Sequence, residues 1–247
     1  YRNSNLLMRT LVLTETRWRT VAFSEEQSEH FIIKYTDIDK NLVPMIEEAS
    51  EKAYYSVGSV FGRQAGQKTT LVVYPDEASL ASSFGWDKDE KAMGVYWAGT
   101  IRILSPRVYL GGDAMAKDFY QEGPMVHEYA HLMVDEISNG NYNRWWTEGI
   151  AQYVEKKVTG FEFPEPTGGD YYDLATLEKK FDSLDQKVAY WESLKAVEFI
   201  VDNYGEDKLY TVLTYLGRGE NMKQALENAL NISYESFEMQ LYNRLRG

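Results

Sequence analysis

His127 and His131 flank Glu128 in the run His127-Glu128-Tyr129-Ala130-His131, an H-E-x-x-H pattern. On a helix, positions i and i+4 share a face, so the two imidazoles stand about 5–6 Å apart at Cβ. That spacing suits two corners of a zinc tetrahedron. Glu128 points off that face, where its carboxylate reaches water on the metal rather than the metal itself. The chemistry would be hydrolysis by an activated water, with zinc as the single cofactor. Without a further ligand the same run would be a helix carrying surface histidines.

A catalytic zinc needs a third protein ligand and an open fourth position. The third histidine of the chain, His30, lies far upstream in an expected strand. A carboxylate must complete the set, and Glu148 is the candidate, in Trp145-Trp146-Thr147-Glu148-Gly149-Ile150-Ala151-Gln152-Tyr153. The residues between His131 and Glu148 suffice to finish one helix, turn, and bring a second alongside. Gly149 and Ala151 are small enough for the two helices to approach closely. Taken alone, Glu148 would be an ordinary acid in a first helical turn, favoured there by the helix dipole.

The pattern predicts an α+β fold. Aromatic and β-branched runs at 18–23 and 31–35, separated by the polar stretch 24–30, read as paired strands. Helical periodicity covers 41–61 and stops at Gly62. A strand at 69–74, a helix at 76–84 and two strand pieces within 93–104 around Ala98-Gly99 follow. Beyond Gly111-Gly112 the pattern is almost wholly helical. Asp113 is expected to cap a short helix, and Gly123-Pro124 opens the motif helix, which runs to about residue 137. The second motif helix is expected from Thr147 to about 158, a loop at 161–169, and amphipathic segments at 171–182, 187–203, 206–216, 221–230 and 234–245. The expected architecture is an N-terminal mixed-sheet lobe, 1–112, packed on a mainly helical lobe, 113–247. The motif helix lies at their junction, and the two lobes form one catalytic unit.

The 247 residues suffice to bury a core without staples. The chain has no cysteine, which excludes disulfide scaffolds, Cys-ligated zinc, iron–sulfur clusters and thiol nucleophiles. Net charge is −12 and uneven: residues 1–112 hold 13 basic against 14 acidic side chains, and 113–247 hold 13 against 24. A half this acidic argues against nucleic acid or an anionic membrane as partner. No apolar run approaches the ~18 residues a bilayer span requires. The first residue is Tyr1, so any signal peptide or anchor is expected upstream of it.

His127-Glu128-x-x-His131, followed by Trp145-x-x-Glu148-Gly149-x-Ala151, resembles the gluzincin zinc peptidases, the group that includes thermolysin and the zinc aminopeptidases. The closer likeness is to the bacterial peptidase MA-like family. It extends to His30-Phe31-Ile32-Ile33-x-Tyr35, to Ala189-Tyr190-x-x-Ser193 and to Tyr204-Gly205. The resemblance implies a zincin-like fold, a peptide or protein substrate, and a location outside the cytoplasm, secreted or anchored. His127, His131 and Glu148 would bind zinc, and Glu128 would act as general base and then deliver the proton to the leaving amine. For the oxyanion, thermolysin-like enzymes supply a Tyr and a His; this chain has no spare histidine. Tyr190 matches the family's tyrosine by position, and Tyr153 is the alternative. Where those enzymes place an acid that orients a ligand histidine, this chain has Gln152, with Glu155 a turn further on. In gluzincins an edge strand pairs with extended substrate. Residues 95–103, with the small Ala98-Gly99 step, match that strand, the alternative being an internal strand with a bulge. Trp145 and Trp146 would line a subsite or pack in the core. Zinc hydrolysis of a non-peptide amide or ester, and a zincin scaffold without turnover, are the competing functional readings.

Overall fold

The computed structural model describes residues 22–85, 92–113, 115–167 and 171–246. Among them, five strands form one mixed sheet: β1 (Ser24–Gln27), β2 (Phe31–Tyr35), β3 (Thr69–Tyr74), β4 (Gly94–Trp97) and β5 (Thr100–Leu104), in the order β1-β2-β3-β5-β4. β2, β3 and β5 run parallel, and β1 and β4 close the two edges antiparallel. Alternate residues of the parallel strands (Phe31, Ile33, Leu71, Val73, Ile101, Ile103) are fully buried on one face, as the period of two requires. Helix α1 (Val43–Phe61) lies against that face and ends at Gly62, whose φ of 65° is the left-handed conformation of a helix C-terminus. Helix α2 (Glu77–Phe84) is capped by the Asp76 side chain accepting from the Ser79 amide at 2.7 Å. Arg102 points to the other face of the sheet and lies over the Phe84 ring.

Eight helices follow: α3 (Ala116–Glu122), α4 (Met125–Ser138), α5 (Arg144–Thr159), α6 (Leu174–Lys180), α7 (Gln186–Tyr204), α8 (Asp207–Gly217), α9 (Met222–Leu230) and α10 (Tyr234–Arg246). One continuous cluster of buried side chains runs from the sheet through α4 and α5 to Phe237 and Leu241 of α10. No helix among the described residues is long and apolar enough to cross a membrane.

Several expectations are corrected. The polar stretch at 24–30 contains strand β1, exposed along its length and held by its register with β2 and by the Tyr35 hydroxyl donating to Glu26 at 2.8 Å. Hydrophobic patterning cannot reveal an edge strand with no buried face. Of the strand expected at 18–23, residues 18–21 lie outside the described residues, and 22–23 are irregular. Asp113 caps nothing: α3 begins three residues later, and Asp118 accepts from the Met115 amide at 2.9 Å. The stretch 95–103 is neither one edge strand nor a bulged internal one. Ala98 and Gly99, with φ of 47° and 79°, make a two-residue hairpin turn. Only β4 lies at the edge; β5 is internal. Helix α5 starts at Arg144, so Trp145 and Trp146 sit in its first turn, where both are fully buried in the core and line no open subsite. The close approach at Gly149 is also with a different partner. A Cβ there would meet the Ser193 carbonyl oxygen at 2.4 Å, so the glycine admits α7, not α4.

Helix α7 also buries Glu192, 1% exposed, whose two oxygens share the Tyr172 amide at 3.0 and 3.1 Å. Burial raises its pKa from 4.5 to about 7, against the pull of that amide. The folded chain therefore binds this proton more tightly than the unfolded chain, and stability falls as pH rises from about 4.5 to about 7. Glu192→Gln should remove that slope. Between pH 5 and pH 8 the wild type should lose about 2 kcal/mol more than the variant, after allowance for solvent screening. Urea unfolding at the two pH values reads the difference; parallel losses in both proteins would refute it.

Candidate metal centre

Helices α4 and α5 are joined by a short connection, 139–143, which makes them antiparallel neighbours. Asn139 ends α4 with a φ of 52°, and its side chain donates to the Gly217 carbonyl at 3.0 Å. Asn141 donates to the carbonyls of Leu216 and Glu220 at 2.7 and 2.8 Å. The turn is thereby tied to the end of α8, and α5 returns along α4 in a fixed register.

That register brings His127, His131 and Glu148 together, with one ligand atom of each within 4.8 Å of the others. Glu148 Oε2 is 3.4 Å from His127 Nε2 and 3.4 Å from His131 Nε2. The rings stand 4.8 Å apart at 76°. On the far side of each ring, His127 Nδ1 meets Glu155 Oε2 at 3.0 Å and His131 Nδ1 meets Thr147 Oγ1 at 2.6 Å. A carboxylate only accepts, so His127 Nδ1 donates to Glu155, and its Nε2 faces Glu148. Glu148 Oε1 is 3.2 Å from Arg144 Nη2, whereas Oε2 is buried with no hydrogen-bond partner.

A buried carboxylate oxygen with no hydrogen-bond partner is unfavourable unless positive charge compensates it. Two of the three ligand–ligand separations, 3.4 Å each, are close to the ~3.3 Å edges of a tetrahedral zinc site, and all three lie within 4.8 Å. Two imidazoles and one carboxylate are donor types that could hold a metal ion such as zinc.

The electrostatics point the same way. Burial alone would raise the Glu148 pKa, but His131 and His127 hold it well below the usual carboxylate range. Burial alone would lower that of His127, but its contacts with Glu148 and Glu155 and the charge of Glu128 hold it well above the ordinary imidazole value. Three carboxylates thus converge on two imidazoles in a desolvated place, a demand for positive charge that a divalent ion meets. Glu128, 7% exposed, is pushed upward by burial, against the attraction of His131 and His127.

Glu128 lies beside the sheet edge. Its Oε2 accepts the Tyr96 amide at 2.6 Å, and the Tyr96 hydroxyl donates to Asp135 seven residues further along α4. β4 reaches this depth because residue 94 is glycine: a Cβ there would meet Pro124 Cβ at 2.6 Å and Glu128 Cγ at 2.8 Å.

The remaining candidates separate. Tyr190 lies on α7 with its hydroxyl near Arg144 and Glu148. The Tyr153 hydroxyl donates to Glu206 at 2.7 Å, a contact apart from the metal ligands. Of the two candidates for orienting a histidine, Glu155 does so. Gln152 instead donates to the carbonyls of Glu148 and Tyr190 at 3.1 and 2.9 Å. Sequence reasoning missed Thr147, Arg144 and Tyr96. Arg144 was findable by its i, i+4 spacing to Glu148, and Thr147 by adjacency to it. Nothing in the chain's linear order ties Tyr96 to Glu128.

The sequence profile of the peptidase MA superfamily matches residues 58–246. The matched residues include the whole metal centre and β4, and leave out His30–Tyr35. Among curated proteins, the uncharacterized protein YhcO of Bacillus subtilis (strain 168) is 20% identical over 239 residues, spanning 89% of this chain and 70% of that one.

Proposed function

We propose that this chain, which belongs to the peptidase MA superfamily, is a zinc-dependent peptidase. The observation that carries this reading is the orphaned Glu148 Oε2, 3.4 Å from both imidazole Nε2 atoms. His127, His131 and Glu148 would hold the ion, the two imidazoles oriented by Glu155 and Thr147. When bound, zinc lowers the pKa of water to about 7 and polarises the scissile carbonyl.

The chain's own residues supply the rest. Glu128 is anchored at Oε2 by the Tyr96 amide, so its Oε1 takes the proton from the attacking water and passes it to the leaving nitrogen. Burial lifts the basicity of this carboxylate, which improves it as a proton acceptor near neutral pH. Tyr190 donates its hydroxyl to the oxygen on which charge develops.

Substrate would lie in extended form along β4. The Leu104 amide donates to the Met93 carbonyl at 2.8 Å, which sets the alternation of the antiparallel pair. Gly94 and Tyr96 therefore turn their backbone groups outward, toward Glu128 and the cleft. An incoming peptide pairs with that edge and brings its carbonyl to the metal centre.

The test is direct. Purified chain should retain about one zinc after dialysis and cleave unstructured peptides. Dipicolinate should abolish cleavage, and added zinc should restore it. Metal-free protein after dialysis against zinc, or zinc-loaded protein that hydrolyses esters but no peptide, would refute the proposal.

A further inference from the structure

We infer that Arg144 acts beside Tyr190 as the second donor to the negative oxygen of the tetrahedral intermediate. The inference rests on the hydrolase reading above and names a residue for a role left open there.

The chain has three histidines, and none is free for this task. His127 and His131 belong to the metal group. His30 is held by Glu51 at 2.6 Å and stacked on Tyr54 at 3.7 Å between ring centroids. A single tyrosine hydroxyl would leave the developing charge with one donor besides the metal.

Arg144 opens α5 one helical turn before Glu148, so its side chain lies on the same face as the ligand. It is half exposed, which places the guanidinium at the solvent-facing mouth of an otherwise buried centre. Nη2 lies 3.2 Å from Glu148 Oε1, and Nε faces the exposed Asp182 at a loose 3.7 Å. A guanidinium carries five N–H donors in one plane, so these contacts leave donors free. The side chain also lies near the Tyr190 hydroxyl. The two side chains thus present a charged fork and a hydroxyl at one end of the ligand carboxylate. A charge-assisted donor of this kind matters most when negative charge appears, which raises kcat more than it lowers KM.

The experiment compares zinc-loaded wild type with Arg144→Gln and Arg144→Lys. Three readouts are needed: zinc affinity by chelator competition, kcat and KM on a peptide, and binding of a phosphinic peptide isostere, whose tetrahedral group mimics the intermediate. Arg144→Gln should lower kcat by about 10²–10³-fold and weaken the phosphinic peptide by a similar factor. KM and zinc affinity should stay within about threefold. Arg144→Lys keeps the charge but not the fork, and should lose about tenfold. If the glutamine variant does not fold, the lysine variant decides the matter alone. A fall in zinc affinity parallel to the fall in kcat would show that Arg144 only positions Glu148, and would overturn the inference. So would unchanged kcat, or a loss confined to peptides with a free C-terminal carboxylate and absent for amidated ones. Wild type that takes up no zinc overturns the hydrolase reading together with this one. Zinc uptake and cleavage indifferent to residue 144 overturns this one alone.

Discussion

Glu128→Gln should abolish peptide cleavage, by at least about 10³-fold in kcat, while the protein keeps its zinc. General base catalysis is worth about 10²–10⁴-fold, and this carboxylate is assigned both the uptake of the proton and its delivery to the leaving nitrogen. The change is otherwise mild. Glutamine has the same shape, and its amide oxygen can still accept from the Tyr96 amide, now 2.6 Å from Glu128 Oε2. The metal should remain because Glu128 is not one of the three converging side chains. Zinc per chain by elemental analysis and turnover of a fluorogenic peptide are the two measurements. A variant with full zinc and full activity would sink the assignment, and one that loses its zinc would make Glu128 a ligand.

Glu148→Gln should have the opposite signature, losing the metal first and the activity as a consequence. Its carboxylate is the shared vertex of the group, 3.4 Å from each imidazole, and it carries the only anionic donor among the three. A neutral amide oxygen removes that charge from a desolvated place. Zinc affinity should fall by more than about 10²-fold, beyond the roughly 10–100-fold expected when an orienting partner is lost. Glu155→Gln provides that comparison, since Glu155 touches His127 only through Nδ1. Competition against a chelator of known affinity should therefore rank the proteins wild type, Glu155→Gln, Glu148→Gln. Equal affinities for the last two would mean that Glu148 is not a ligand.

These two predictions draw unequally on sequence and on structure. The i, i+4 geometry of His127 and His131 is a property of any helix, so the pair was legible from spacing alone. Glu148 was legible as a candidate, because the intervening length suffices for a turn and a second helix. Its convergence on the pair was not, since that depends on the register of α5 on α4. The connection between the two helices is tied to the end of α8 through Asn139 and Asn141, residues that look like ordinary loop in the sequence. Gly149 was correctly read as a sign of close packing but assigned to the wrong neighbour, because spacing shows that a helix face is narrow and not which helix fills it. The hairpin at Ala98-Gly99 was visible as a break, yet a two-residue turn and a bulge leave similar traces in composition. Strand β1 was misread because all four of its residues are exposed, and an element with no buried face leaves no periodic trace.

What the amino-acid order determined by itself is chemical and local. It set the donor types, the two rings on one helical face, the carboxylate beside them, the absence of any thiol or spare imidazole, and the alternation of buried residues in the parallel strands. Each follows from identities a few residues apart, where the chain's own geometry dictates the outcome. Tertiary structure decided everything requiring two distant segments to meet: Glu148 at the rings, Glu155 rather than Gln152 behind His127, Tyr190 rather than Tyr153 beside Arg144, and the Tyr96 amide on Glu128. Those meetings depend on how helices and sheet pack, and packing is settled by the whole core at once rather than by any short stretch of the chain.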